Sequence, residues 1–223
     1  MRVVILSETF PEGMGYAGLA IPKTMKKMDI DVHYVTAGLP VYYSMADYQQ
    51  TYGRFHKRSD PPGTVREVEG FPVHFLDHKK AYGGVRMRGL REKLASLRPD
   101  IVQTFNHVAW APLDAALLQP SLGYRLFTGN HTTASVYPLA RMNLPPIHPL
   151  RLRELILRDL PGRFVSSRIE RCYGATADCS DVARRFFGVD PAKLVTLPLG
   201  VETDIFHPAR DDEGRRAAAD LRD

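Results

Sequence analysis

The chain lacks paired cysteines, long apolar runs and repeated or low-complexity segments, and each absence excludes a class of protein. Among its 223 residues the only cysteines are Cys172 and Cys179. Their spacing forms no CxxC pair, so we expect free thiols in a reducing cytoplasm rather than a disulfide framework or a cysteine metal site. The first apolar run, residues 3–6, has the length of a strand, and no stretch approaches the roughly 20 apolar residues of a membrane span. The sequence therefore predicts a cytoplasmic protein with neither a secretory signal nor a transmembrane helix.

The composition is that of an ordinary globular domain with a mild positive charge. Hydrophobic residues make up 44% of the chain and charged residues 25%, which excludes a disordered or fibrous class. The formal net charge of +5 fits an anionic membrane or a phosphorylated substrate as well as it fits nucleic acid. No aromatic-and-basic RNA motif or helix-turn-helix signature is present, so we expect no nucleic-acid partner.

The basic residues are concentrated in two parts of the chain. Between residues 79 and 98 they are Lys79, Lys80, Arg86, Arg88, Arg91, Lys93 and Arg98. Between residues 150 and 173 they are Arg151, Arg153, Arg158, Arg163, Arg168 and Arg171. One interpretation is that they form the solvated outer faces of crossover helices. The other is peripheral docking on an anionic membrane leaflet, which would place the protein on the cytoplasmic face of a membrane.

Apolar strand-like runs alternate with helical patterns along the chain. The predicted strands are residues 2–6, 31–36, a pair within 65–76 around Gly70, 100–105, 124–128, 175–179 and 193–197. The predicted helices are residues 18–28, a short one in 45–52, 90–97, 109–118, 150–173 and one through residue 187 capped by Ser180. This alternation predicts an α/β fold with a doubly wound, mostly parallel, Rossmann-like sheet. Residues 209–223, charged and with an alanine run, have the composition of a linker.

A glycine-rich loop follows the first strand. Gly13-Met-Gly15-Tyr-Ala-Gly18 matches GxGxxG, but residues 7–12 separate it from the strand. The next strand also ends without the carboxylate that would bind a ribose, which weakens the dinucleotide interpretation. Two other interpretations of the loop remain. One is a turn that needs positive φ. The other is a loop whose backbone N–H groups bind a phosphate, which would make Gly13 and Gly15 contacts of a donor diphosphate.

The segment Leu197-Pro-Leu-Gly-Val-Glu-Thr-Asp-Ile-Phe-His-Pro208 resembles the P-N-G-V-D-x-x-x-F-x-P segment of family 4 glycosyltransferases. The matching residues are Pro198, Gly200, Val201, Phe206 and Pro208, whereas Leu199 and Glu202 replace the usual Asn and Asp. Residues 31–36, 100–104, 175–180 and 193–198 resemble further segments of the same family in the same order. The sequence departs from the family pattern at Met14, which splits the paired glycines, and at Phe105, where many members have histidine.

The resemblance implies that residues 1–208 are the N-terminal, acceptor-side lobe of a two-lobed GT-B enzyme. Such an enzyme moves a sugar, here of hexosyl type, from a nucleotide-sugar co-substrate to a hydroxyl acceptor with retention, and lipid-linked acceptors are common. The donor-binding lobe with its E-x7-E motif is absent from the chain, and residues 209–223 would begin the connection to it. We therefore expect the isolated chain to be inactive, without metal or cofactor. The alternatives are an NAD(P)- or FAD-binding oxidoreductase domain and a non-catalytic binding module.

Candidate site residues follow the predicted strands at their C-terminal ends, where open parallel sheets bind ligands. His131 follows strand 124–128, and the resemblance implies that it lies near the transferred sugar as a catalytic residue. A neutral imidazole there would hydrogen-bond a sugar hydroxyl or the developing oxocarbenium-like centre. Asn106, His107 and Asn130 are candidates for acceptor binding. The alternatives are a loop histidine bonded to backbone for His131 and a helix cap for Asn106.

Overall fold

An eight-stranded sheet organises the chain. The computed structural model describes residues 1–12, 17–41, 43, 47–51, 60–82, 84–145 and 147–200. The strands are β1 (Arg2–Thr9), β2 (Asp31–Leu39), β3 (Val65–Val68), β4 (Phe71–Phe75), β5 (His78–Ala81), β6 (Gly84–Met87), β7 (Ile101–Thr104), β8 (Arg125–Asn130), β9 (Ile169–Gly174) and β10 (Leu194–Thr196). The helices are α1 (Ala17–Lys27), α2 (Tyr48–Thr51), α3 (Leu90–Leu97), α4 (Trp110–Leu122), α5 (Pro138–Arg141), α6 (Pro149–Glu154), α7 (Leu160–Arg168) and α8 (Ala177–Arg185). A π-helical segment, Leu155–Asp159, joins α6 to α7, and a 3₁₀ turn, Pro191–Lys193, precedes β10.

The strand order is β10-β9-β8-β7-β1-β2-β4-β3, and β5 and β6 form a separate hairpin. Every neighbouring pair in the large sheet is parallel except β3 and β4. The chain leaves β1 for β2 on one side and later returns to place β7 on the other side. The strand order therefore reverses at β1 and β7, which is the position where open α/β sheets form a crevice for ligands. The predicted doubly wound, mostly parallel sheet is confirmed.

The two faces of the sheet are covered differently. Helices α3, α4, α7 and α8 pack on one face, over a core that includes Val4, Leu6, Val102 and Leu126. On the other face α1 packs over β2 and β4. On that same face Phe127 and Tyr173 remain partly exposed and stack with ring centroids 6.5 Å apart. Among the described helices, none has the length and apolar content to cross a membrane.

The structure corrects the sequence assignment between residues 150 and 187. The predicted helix ends at Arg168, residues 169–174 form β9, and the predicted strand 175–179 lies mostly in α8. Strand β9 contains charged residues, and its buried and exposed residues do not alternate strictly. Its sequence pattern therefore does not distinguish it from the helix before it. The cap of α8 is Thr176, whose hydroxyl oxygen accepts a hydrogen bond from the Cys179 N–H at 3.1 Å. Ser180, the predicted cap, instead bonds the Thr196 hydroxyl at 2.8 Å. The β5–β6 hairpin was also not predicted.

Removal of the Thr176 cap should destabilise the fold measurably. Thr176→Ala leaves the Cys179 N–H without its partner, and loss of such a cap costs about 1 kcal/mol. The expected result is a lower urea midpoint with an unchanged slope. Ser96→Ala is the matched control, because Ser96 is exposed and its one hydrogen bond among the described residues is to the Lys93 carbonyl within α3. Equal midpoints for the two variants would contradict the assignment of the cap.

Candidate functional site

A groove of about 700 Å³ lies at the C-terminal edge of the parallel strands, beside the point where the strand order reverses. We call it the edge groove. Helix α1 forms one wall with Ala17, Ile21 and Thr24. The ends of β7, β8 and β9 contribute Gln103, Gly129 and Tyr173, and residues 197–200 form the opposite wall. The groove therefore joins the helix after the glycine loop, three strand ends and the segment that resembles the family 4 motif.

His131 lies on the edge groove, immediately after β8. The strand continues in register with β9 up to Asn130, and the Ala175 N–H donates to the Asn130 carbonyl at 3.0 Å. This pairing fixes the backbone from which the imidazole projects. The side chain is exposed, yet partial desolvation lowers the pKa of His131 below its ordinary value. The ring is therefore neutral at pH 7 and has one nitrogen to donate a hydrogen bond and one to accept.

Gly129 brings β7 and β8 into close contact beneath the edge groove. A Cβ atom at this position would lie 2.5 Å from the Phe105 carbonyl oxygen, closer than any real contact. Only glycine fits the approach without a shift of the backbone, as is usual for a glycine inside a strand. Gly129 is not among the residues that the sequence pattern indicated as site residues. Its position inside an apolar strand was the available signal.

His107 lies in the core and not on the edge groove. It is 0% exposed, and its Nε2 is 3.1 Å from the Gly162 carbonyl and 3.0 Å from the Ser166 hydroxyl. Because a carbonyl only accepts, Nε2 carries the proton, and Nδ1 accepts from the Thr128 hydroxyl at 2.8 Å. Burial lowers the pKa of His107 to about 4. The ring connects the loop after β7 to β8 and α7, with both nitrogens occupied.

The pH dependence of unfolding should report this buried ring. The folded state disfavours protonation of His107, whereas the unfolded chain protonates near pH 6.5. The contribution of His107 to the free energy of unfolding is therefore fully present above pH 6.5 and is lost as the pH falls to about 4. The size of this contribution is about 3 kcal/mol. Burial also lowers the pKa of His74 to about 4, so the wild type alone does not isolate the effect. The measurement is urea unfolding between pH 7 and 4 for wild type and His107→Gln. Parallel curves of unfolding free energy against pH for the two proteins would contradict the predicted contribution of His107.

The other predicted residues fall outside the edge groove or outside the described residues. Asn130 is buried, and its Nδ2 donates to the Cys179 carbonyl at 2.7 Å. Asn106 is exposed and does not cap α4, whose N-cap is Ala109 without a side-chain bond. Gly13 and Gly15 lie outside the described residues, and the helix after them begins at Ala17 on the groove wall. Of the described candidates, the structure thus brings His131 alone to the groove.

Two lysines of α1, Lys23 and Lys27, line the edge groove. Lys23 also forms an ion pair with Glu69 at 3.3 Å. Among the described lining residues none is an aspartate or a glutamate. Within the same described ranges no cluster of His, Cys, Asp and Glu has the arrangement to hold a metal ion. The described lining residues therefore favour an anionic ligand over a cationic one.

The sequence model of Glycosyltransferase Family 4 matches residues 21–205, which is most of the chain. The chain belongs to glycosyltransferase family 4. The structure of HepE from Anabaena in complex with UDP-glucose is similar, with a TM-score of 0.56 and 10% identity over 98% of this chain and 49% of that one. A glycosyltransferase from Rickettsia africae ESF-5 gives a TM-score of 0.52 and 12% identity over 99% and 49%. No curated protein matches the chain.

The family 4 chain spans about half the length of these solved structures. At such low identity the likeness shows the fold, and that fold is one Rossmann-like lobe of GT-B type. The dinucleotide alternative is not favoured, because β2 ends at Ala37, Gly38 and Leu39 without a carboxylate.

Proposed function

We propose that this domain is the acceptor-side lobe of a retaining hexosyltransferase that uses a nucleotide-sugar donor. The observation that carries the proposal is the position of His131 on the edge groove of a family 4 chain. The groove lies at the C-terminal strand edge and has the volume of a small-ligand site. Under this proposal a second lobe binds the donor nucleotide, and residues 209–223 begin the connection to it.

The proposed reaction exchanges one glycosidic bond for another. The bond between the sugar C1 and the donor diphosphate breaks, and a bond from C1 to the acceptor hydroxyl oxygen forms on the same face. The acceptor proton passes to an oxygen of the departing phosphate, so no protein nucleophile is required. The neutral His131 donates a hydrogen bond to a hydroxyl of the transferred sugar and holds it as positive charge develops at C1.

The proposed donor class rests on the lysines that line the edge groove and on the similar structure of HepE. HepE was crystallised with UDP-glucose, so UDP-sugars are the first donors that we propose for this chain. Lys23 and Lys27 would offset the negative charge of a diphosphate at the groove wall. Gly13 and Gly15 stay proposed as backbone contacts of that diphosphate. Asn106 stays proposed as an acceptor-binding residue, whereas the buried His107 and Asn130 would act on the acceptor only through the backbone that they hold in place.

The test is acceptor-dependent release of nucleoside diphosphate. The chain is fused to, or mixed with, a donor-binding lobe of a family 4 glycosyltransferase, and residues 1–223 alone serve as the comparison. UDP-, GDP- and ADP-sugars are each mixed with a panel of sugar and lipid-linked hydroxyl acceptors. We expect release from one donor class by the assembled two-lobed protein only, and an anomeric configuration in the product equal to that of the donor by NMR. Acceptor binding without transfer would instead identify a non-catalytic binding module.

A further inference from the structure

The helix from Pro149 to Arg168 exposes an apolar stripe to solvent. Leu152, Ile156 and Leu160 are 44%, 60% and 52% exposed, respectively. They are spaced four residues apart, so they lie along one side of the helix. Leu155 beside them is also exposed. A helix that packed only within this domain would turn such residues toward the core.

The acidic residues of this helix face inward. Glu154 and Asp159 are only 4% and 7% exposed. They stand five residues apart across the π-helical segment, whose i→i+5 bonding places such residues nearly above one another. Glu154 pairs with Arg153 at 2.7 Å and with Arg158 at 3.4 Å, and Asp159 accepts a hydrogen bond from the Tyr137 hydroxyl. Both carboxylates are thereby withdrawn from the outer surface.

The basic residues of the same helix stay outside. Its exposed arginines are Arg151, Arg153, Arg158, Arg163 and Arg168. They outnumber the buried carboxylates, so the outer surface combines an apolar stripe with net positive charge. This combination is typical of helices that lie in the plane of a membrane interface.

A second groove, of about 520 Å³, opens beside the stripe and carries aromatic residues. Tyr82, at the turn of the β5–β6 hairpin, lines it together with Trp110, Ile156 and Leu157. Tyr82 is 62% exposed, and its carbonyl accepts a hydrogen bond from the Trp110 indole at 2.8 Å. Tyrosine and tryptophan with one polar end are enriched at membrane–water interfaces.

We propose that this face, formed by Leu152, Ile156, Leu160 and Tyr82 with the surrounding arginines, docks on the anionic surface of a lipid bilayer. The apolar stripe would enter the headgroup boundary while the arginines contact lipid phosphates. A second protein would have to supply an apolar groove with carboxylates placed to match the arginines. An anionic leaflet supplies an apolar interior and negatively charged phosphates without such a specific fit. The proposal concerns a surface other than the edge groove and does not depend on the glycosyl-transfer reaction.

The test uses the 223-residue chain and vesicle co-sedimentation. We expect partition onto vesicles of phosphatidylcholine with phosphatidylglycerol, weakened by salt, and little partition onto phosphatidylcholine alone. Ile156→Glu should lower the partition coefficient at least about tenfold, because it places a charge in the apolar stripe. Arg151→Gln and Arg163→Gln should each lower it about fivefold. The matched control is Leu117→Glu, because Leu117 on α4 is 53% exposed and lies outside the proposed face.

Folding and self-association are measured in parallel. The urea midpoint of Ile156→Glu should equal that of Leu117→Glu, so that loss of partition is not loss of structure. No partition of the wild type onto anionic vesicles at low salt would overturn the proposal. Equal partition of Ile156→Glu and Leu117→Glu would also overturn it. So would a wild-type dimer by light scattering that Ile156→Glu dissociates without any change in partition, because the face would then pair two copies of the chain.

Discussion

Replacement of His131 by alanine is expected to lower kcat/KM for sugar transfer about 100-fold, with no change in the urea midpoint. The side chain is exposed on the edge groove and no described hydrogen bond holds it, so its removal leaves the core intact. Loss of one hydrogen-bond donor that acts on developing charge typically costs a factor of about 10² to 10³. The measurement is acceptor-dependent nucleoside diphosphate release by the protein that includes the second lobe.

The pH profile separates a chemical role of His131 from a purely steric one. Desolvation lowers its pKa, so the neutral ring persists below the ordinary value of 6.5 and the rate should fall only in more acidic solution. His131→Asn keeps an N–H donor on a smaller side chain but does not titrate. We expect partial recovery of the rate relative to alanine and disappearance of the acid limb assigned to this ring. Wild-type rates in His131→Ala would exclude the proposed role.

Gly129→Ala is expected to destabilise the fold by about 3 kcal/mol. The added Cβ would lie 2.5 Å from the Phe105 carbonyl oxygen and 3.2 Å from the carbonyl carbon. Relief requires a shift of the backbone that follows β7, and such overpacking costs about 1–3 kcal/mol or more. The same shift would deform the edge groove next to His131. Stability and transfer should therefore decline together in this variant.

Gly200→Ala is the matched control for Gly129→Ala. Gly200 also lines the edge groove, but apart from its two chain neighbours no atom of the described residues lies within 4 Å of a Cβ added there. We expect its urea midpoint to stay within about 0.5 kcal/mol of the wild type. Similar midpoints for the two alanine variants would show that the close approach of β7 and β8 does not exist in solution.

The central part of the fold could be predicted because its residues carry local signals. Strands β1 and β2 are short apolar runs that are buried in the middle of the sheet, and their order with the helices indicates the parallel topology. The placement of His131 at the C-terminal edge follows from that topology alone. The family assignment depends on motifs that resemble family 4 in order and spacing, and the match over residues 21–205 confirms it.

The remaining features depend on contacts that are distant in the sequence. The burial of His107 results from partners on β8 and α7, none of which its neighbours in the sequence indicate. The inward orientation of Glu154 and Asp159 requires the π-helical segment, which an α-helical pattern does not predict. The boundary between α7 and β9 was missed because β9 pairs with β8 through its backbone while its side chains remain mixed. In each case tertiary partners outweigh local propensity.

The acceptor is proposed to bind at the C-terminal strand edge beside His131. Backbone amide shifts of the ¹⁵N-labelled protein, titrated with the acceptor that supports nucleoside diphosphate release, test it most directly. We predict the largest shifts at Gly129, His131 and Ala175, with smaller ones along α1. Largest shifts at Asp31, Asp100 and Arg125, which lie at the opposite ends of the strands, would show that the acceptor does not bind beside His131.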